Sequence, residues 1–258
     1  MKAFEELKED LLIRAKNARA CQIGYAMGLR SETKADLLKA IIENWFWVFS
    51  EKKIVDAEYL EDNFTEEELF QAGIYIRGIH NVKTSSFALG SATVKAFGSA
   101  TVKAYGSATV EAFGSATVKA YDSATVKAYG SATVEAFGSA TVEAFGSATV
   151  KAYDSATVEA YGSATVKAYD SATVEAFGSA TVKAYDSATV EAFGSATVEA
   201  FGSATVEAYG SATVKAFGNS YVEDCIGNIR PQSDYAIVKD YYNHKIYIKK
   251  GKFEIIEV

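Results

Sequence analysis

Between Ser91 and Gly218 one octapeptide, Ser-Ala-Thr-Val-(Lys/Glu)-Ala-(Phe/Tyr)-(Gly/Asp), recurs sixteen times without insertion or deletion. Few folds tolerate such a chain. A unit of eight residues cannot bury its own apolar side chains, so neighbouring units must stack and share one core. In the first unit Ala92, Val94 and Ala96 alternate with Ser91, Thr93 and Lys95. A period of two is that of a β-strand with one buried face. Phe97-Gly98 then interrupts the pattern, and glycine is the usual residue where a turn needs positive φ. Strand plus corner, repeated, is a β-solenoid.

Two unequal positions set the size of the coil. Position eight is Gly except at Asp122, Asp154, Asp170 and Asp186, which all fall in even-numbered octads. Position five leans to Glu in odd octads and to Lys in even ones, and the odd series Glu143, Glu159, Glu175, Glu191 and Glu207 is unbroken. The repeating coil is therefore sixteen residues with two unlike faces, and eight coils rising by one strand spacing each span about 38 Å. The interior of Ala and Val is thin, which predicts a flattened, two-sided solenoid.

Residues sixteen apart should stack, Thr on Thr and aromatic on aromatic. Such pairs stabilise by ~0.2–1 kcal/mol, and stacked like charges cost a similar amount. The five glutamates are thus a liability unless solvent or a basic partner meets them. They form the candidate interaction surface, together with Tyr105, Tyr121, Tyr153, Tyr169 and Tyr185 at the aromatic position. On the even face each Asp follows a Lys by three residues, as Asp122 follows Lys119, and that face is expected to be near neutral.

The Tyr105-Gly106-Ser107 corner and the octapeptide period resemble the eight- and sixteen-residue β-solenoid repeats of bacterial ice-nucleation proteins. The resemblance covers the repeat alone and implies a flat face bearing ladders of identical side chains. Those proteins present Thr-x-Thr; the outward pair here is Thr93 and Lys95, or Thr109 and Glu111. The layout of helical head plus short perfect repeats also looks like uncharacterised bacterial repeat proteins, which imply no activity.

The flanks divide the chain into a helical N-terminal cap domain over residues 1–80, the solenoid over 81–242 and a terminal β-hairpin cap over 243–258. Phe4, Leu7, Leu11, Leu12, Ala15 and Ala18 recur at helical spacing, with Gly24 and Gly28 read as punctuation after them. Ser31 or Thr33 could cap a second run through Leu37, Leu38, Ile41, Ile42, Trp45, Phe46 and Phe49. A short helix is expected over Asp56–Asp62, and Thr65 with Glu68 has the capping-box form. Three to four short helices result. Trp47 and Val48 lie off the main stripe and are the residues expected to face outward, and Trp47 belongs with the glutamates and tyrosines to the candidate interaction surface. After the array, Ser220, Val222 and Glu223 stay in phase, and Tyr235 to Lys239 returns to register sixteen residues later. Residues 243–258 alternate through Ile246, Ile248, Phe253 and Ile255 about Lys249-Lys250-Gly251-Lys252, the pattern of a hairpin. Covered ends are expected, because an open solenoid edge invites aggregation.

The residues suggest no catalytic constellation, no cofactor and no metal. His80 and His244 are the only histidines, and both read as surface or end residues. The repeated hydroxyls have no base beside them in sequence. Cys21 and Cys225 are too few for a disulfide framework. Cys225 reads as a buried small hydrophobe and Glu223-Asp224 as solvated acids. A net charge of −7 argues against direct contact with nucleic acid or an anionic membrane. The N-terminus is acidic where a secretory signal is basic, so a soluble cytoplasmic protein is expected. The function expected is a non-catalytic structural rod whose partner is another protein or a second copy of itself. The alternatives are an acidic nucleic-acid mimic that occupies a DNA-binding enzyme, and an ice-binding surface.

Overall fold

The computed structural model describes residues 2–248. The part of the expected hairpin carrying Phe253 and Ile255 lies outside them. The protein is mainly β, a two-sided solenoid with helices before it and further strands after it. Each octad contributes one four-residue strand, from Thr93–Ala96 to Thr213–Ala216. Successive strands go alternately to two parallel sheets, one of ten strands holding the even octads and one of twelve holding the odd. Val142 pairs with Val158 and Thr141 with Thr157, so the sixteen-residue coil is as the Asp and Lys/Glu positions predicted.

The core is a stack of identical small layers. Along the array the second, fourth and sixth residues of each octad point inward, and Ala92, Val94 and Ala96 are all at 0% exposure. A buried Val contributes about 1.5 kcal/mol at the low end of the aliphatic range, so each coil adds little, and cooperation between neighbouring coils carries the fold. The corners are left-handed, with φ 58° at Asp154 and 68° at Gly178. Asp tolerates this region better than most residues with a Cβ. A Cβ at Gly178 would meet the Gly162 carbonyl oxygen at 3.4 Å, close but not blocked.

The N-terminal region has five α-helices rather than three or four: α1 (Phe4–Asn17), α2 (Gln22–Arg30), α3 (Lys34–Glu43), α4 (Ala57–Asn63) and α5 (Glu66–Gln71). Gly24 and Gly28 do not end a helix; they lie inside α2. There they let it approach its neighbours: a Cβ would sit 2.8 Å from Asn44 at Gly24 and 3.3 Å from Leu12 at Gly28. Thr33 is the N-cap of α3, in a reciprocal capping box with Asp36, and Thr65 forms the other with Glu68. Ser31 instead donates to the Met27 carbonyl. Asp56 caps α4 through the Tyr59 N–H.

After α3 the chain makes a π-helical turn over Phe46–Glu51, with Lys52 N–H bonded to the Trp47 carbonyl. The wider turn shifts the apolar stripe by one residue. Val48 is therefore buried with Phe49, against expectation, while Trp47 remains partly exposed. Phe49, Phe87, Leu89 and Tyr105 belong to one apolar cluster with α1, α3 and α4, so the head is packed onto the first coils.

The first coil is short, for Ile79 pairs with Thr93 and Ile74 with Phe87. At the other end Tyr221–Asp224 and Ile237–Asp240 keep the full sixteen-residue step on the twelve-stranded sheet. Lys245–Ile248 then runs antiparallel to Ile237–Asp240. The hairpin thus begins six residues earlier than the alternation suggested, with Ile237–Asp240 as its first arm. On the ten-stranded sheet Ala216 bridges to Pro231, and a proline, lacking an N–H, suits a sheet edge.

Two readings of this end change. Asp224 is not solvated: it is fully buried in the inward Ala column, in register with Ala208. Its carboxylate accepts three backbone N–H groups, from Ile226, Gly227 and Ile229, each at 2.8 Å. Cys225 is exposed, because it occupies the corner position that aromatics hold in the repeat.

Candidate functional site

The outward side chains form straight columns. On the twelve-stranded sheet the charged column begins Lys95, Glu111, Lys127, and then runs as six glutamates from Glu143 through Glu159, Glu175, Glu191 and Glu207 to Glu223. Lys239 follows in register. The structure brings together all five glutamates singled out from the sequence and adds Glu223. The signal for Glu223 was its phase, sixteen residues beyond Glu207.

Partners thin out toward the middle of this column. Lys95 pairs with Glu111 at 3.1 Å and Lys127 with Glu143 at 3.0 Å. Beyond Glu143 no glutamate of the column has a cationic partner among the described residues. Tyr161 and Tyr209 donate their hydroxyls to Glu159 and Glu207. Those carboxylates hold each phenol's proton and push it up to about 12.

The ten-stranded sheet is different. Its column, from Lys103 to Lys215, has six lysines and two glutamates, a net charge of +4. Each glutamate sits between two lysines. Glu135 is 2.8 Å from Lys119 and 3.2 Å from Lys151, and Glu199 is 2.8 Å from Lys183 and 3.3 Å from Lys215. Hydrogen bonds from these lysines, first Lys119 and first Lys183, hold both carboxyls below the usual range. The even-octad aspartates bring the even octads to a net charge of zero, as the sequence suggests, but they stand outside the column. They lie in the corners, where Asp154 accepts the N–H of Gly138 at 3.0 Å and Asp170 that of Asp154 at 3.3 Å. The even column is basic, and the odd column, with two lysines and six glutamates in the octads, has a net charge of −4.

The aromatics line the two corners as continuous stacks. Tyr153 and Tyr169 are 5.0 Å apart and inclined by 7°, and Tyr169 and Tyr185 are 4.9 Å apart and inclined by 7°. Tyr105 and Tyr121 belong to the same stack, but the head takes them up. Tyr105 is buried beneath Trp45 and Phe49, and Trp45 also meets Tyr121 at 5.9 Å. Tyr105 is therefore no outward surface residue. Burial raises its phenol strongly. Lys103 lies 4.8 Å from the rings of both Trp45 and Phe87, and desolvation lowers its pKa.

Trp47 carries Lys52 over its ring at 5.1 Å and borders a small pocket in the head of about 70 Å³. The pocket walls are mainly apolar, with Leu11, Tyr25 and Ile41 among them, and Asn44 and Cys21 as polar members. The Asn44 amide is committed to the Ala40 carbonyl, and Cys21 accepts the Gly24 N–H. His80 stacks on Tyr75 at 4.4 Å. Among the described residues no group of three His, Cys, Asp or Glu is placed to hold a metal ion, and no helix is long and apolar enough to cross a membrane.

No family model, curated protein or solved structure matches this chain. The arrangement alone carries the functional reading. It offers two regular charged columns of opposite sign and two aromatic edges.

Proposed function

We propose that the chain is a non-catalytic rod, a scaffold whose sheets present charged ladders to a repetitive partner. The observation that carries this is the acidic column Glu143 to Glu223 on one sheet, opposed by a lysine-dominated column on the other. Evenly spaced like charges are costly in isolation. A partner with complementary charges at the same strand spacing offsets that cost at every step. The helices and the C-terminal strands would close the ends of the rod and keep its backbone edges from pairing. We place it in the cytoplasm, acting through protein contacts and not by direct binding to nucleic acid or membrane.

Small-angle scattering tests the rod. An elongated particle whose length scales with the number of coils supports it, and a compact globule sinks it.

The same acidic column favours a second reading, a nucleic-acid mimic. The column has one charge per strand spacing of ~4.8 Å, whereas a duplex has one per ~1.7 Å. The opposite column is dominated by lysine. A DNA-binding enzyme unaffected by the protein would end this reading. Ice binding is weaker still, because each Thr column runs beside a charged one; unchanged freezing behaviour would end it.

A further inference from the structure

The partner of this rod can be derived from the rod itself, on the reading of the faces given above. We propose that the basic face of one copy docks on the acidic face of the next, with the two rods parallel and level, so that copies laminate sideways.

Three features support a second copy as the occupant. The first is sign: over the octads the outward column of the ten-stranded sheet has a net charge of +4 and that of the twelve-stranded sheet −4, the four aspartates of the ten-stranded side lying in the corners beside its column. The second is spacing. Both columns advance by one strand per step in the same molecule, so a second copy is matched in period to the first without adjustment. The third is sequence along the columns. From Glu111 with Lys119 to Glu175 with Lys183, every coil carries opposite charges on its two faces, and so does Glu207 with Lys215. Six of the eight coils are complementary when two copies stack level and parallel, against four when one is reversed.

The exceptions fall where the molecule already provides for them. In the first coil Lys95 would face a Lys103 that is shielded by Trp45 and Phe87. In the seventh, Glu191 would face a Glu199 already held by Lys183 and Lys215. Lys167 has no ion-pair partner within its own chain among the described residues, and at its level on the other face lies Glu159. The long lysine stems can span the sideways offset between columns.

Such a contact is heterologous and does not close, so it grows into open stacks. Strands of four residues at ~3.3 Å each, over eight steps of ~4.8 Å, give a face of about 500 Å², or about 1,000 Å² buried per contact. That is the low end for specific interfaces, and association should be reversible.

The test uses the full chain and two variants. In one, Lys151→Glu, Lys167→Glu and Lys183→Glu make both faces acidic. In the other, Glu143→Lys, Glu159→Lys and Glu175→Lys make both basic. At about 0.01 M salt, where the screening length is about 30 Å, the native chain should sediment as species that grow with concentration. At about 1 M, where it is about 3 Å, it should revert to monomer. Each variant alone should stay monomeric, and an equimolar mixture should associate again. All six side chains point outward, so folding should survive; if a variant loses its β signal in circular dichroism, glutamine at the same positions should still abolish self-association.

Zero-length carbodiimide coupling then reads the orientation. Lys167 and Glu159 lie on opposite sheets of one chain, so a link between them arises only between copies. Finding it supports the parallel arrangement, and links from Lys167 to Glu143 in its place overturn it. A native chain that is monomeric at low salt, or variants that associate unaided, overturns the proposal. If scattering still shows an elongated monomer, the rod reading stands without it.

Discussion

Asp154 accepts the backbone N–H of Gly138 at 3.0 Å, one coil back along the same corner. The carboxylate turns along the rod, so that it stands beside the lysine column and not in it. Asp154→Ala removes this bond and places a Cβ without compensation at φ 58°. The expected loss is about 1–2 kcal/mol. It should appear as faster exchange of the Gly138 amide. Asp154→Gly should be milder, since glycine is at ease in that conformation. Equal effects of the two would contradict the assignment.

Replacing Glu175 by Lys places a cation between Glu159 and Glu191. Stability should rise, by about 0.5 kcal/mol or less for surface pairs. The gain should shrink as salt is added. Urea denaturation at two ionic strengths measures both. A loss of stability at low salt would show that the column is not strained by repulsion.

Alkaline pH should weaken the fold. Hydrogen bonding to Glu159 and Glu207 raises the Tyr161 and Tyr209 phenols to about 12, and burial raises Tyr121 to about 12. A phenol whose folded pKa exceeds its unfolded value near ~10 favours the folded state below that value. The contribution disappears as pH rises from about 10 through about 12. Ultraviolet titration of tyrosinate should show a late-ionising class, with the denaturation midpoint falling over the same window. Carboxyls act at the other end. Glu135 and Glu199 are held down by lysines, so their contribution is present above the unfolded carboxyl pKa and is lost as pH falls through their depressed folded values.

Truncating Tyr105 to Ala should loosen the head from the rod. The ring is buried between Trp45, Phe49 and Tyr121, and removal of a buried aromatic costs about 3–5 kcal/mol. Limited proteolysis should then release the helices while the array persists. Tyr169→Ala, at the open part of the same stack, should leave the head protected.

Deletion distinguishes eight from sixteen. Removing Ser155 to Asp170, one coil, should keep the fold and shorten the rod by one strand spacing, ~4.8 Å. Removing Ser155 to Gly162 alone sends every later octad to the opposite sheet. The Glu and Lys columns would then exchange faces at that point, and Tyr221–Asp224 would meet the wrong neighbour. A lower unfolding midpoint for the shorter deletion is expected.

The array was legible because it repeats. Period two located each strand, and the parity of Asp122, Asp154, Asp170 and Asp186 gave the coil. The helical caps at Thr33 and Thr65 were legible for the same reason, being local patterns of hydrogen bonding. What the sequence hid depended on neighbours distant in the chain. Gly24 reads as a stop, and only the proximity of Asn44 shows why glycine lies within α2. Val48 reads as outward because a π-helical turn is invisible to a period of 3.6. Asp224 reads as a surface acid because its partners, the N–H groups of Ile226, Gly227 and Ile229, come from a loop without a pattern. Tyr105 reads as outward because its column is, and the head's cover over the first coils leaves no mark in the octad. The split of the even side into a basic column and acidic corners is not visible in the sum of its charges, because only the fold separates the strand from the corner.

The buried carboxylate of Asp224 also bounds the inheritance of the protein. Tandem repeats lengthen when copying slips, and within Ser91 to Gly218 each added pair of octads finds an identical neighbour. A duplication that took in Asp224 without the loop to Ile229 would put an unsatisfied charge in the Ala column, a cost of several kcal/mol. Lineages carrying it would lose the fold. The array is therefore free to drift in length on one side of that residue and is held on the other, where Asp240 follows it buried in the same column, so that the first of two buried acids marks where the gene can change without changing the molecule's design.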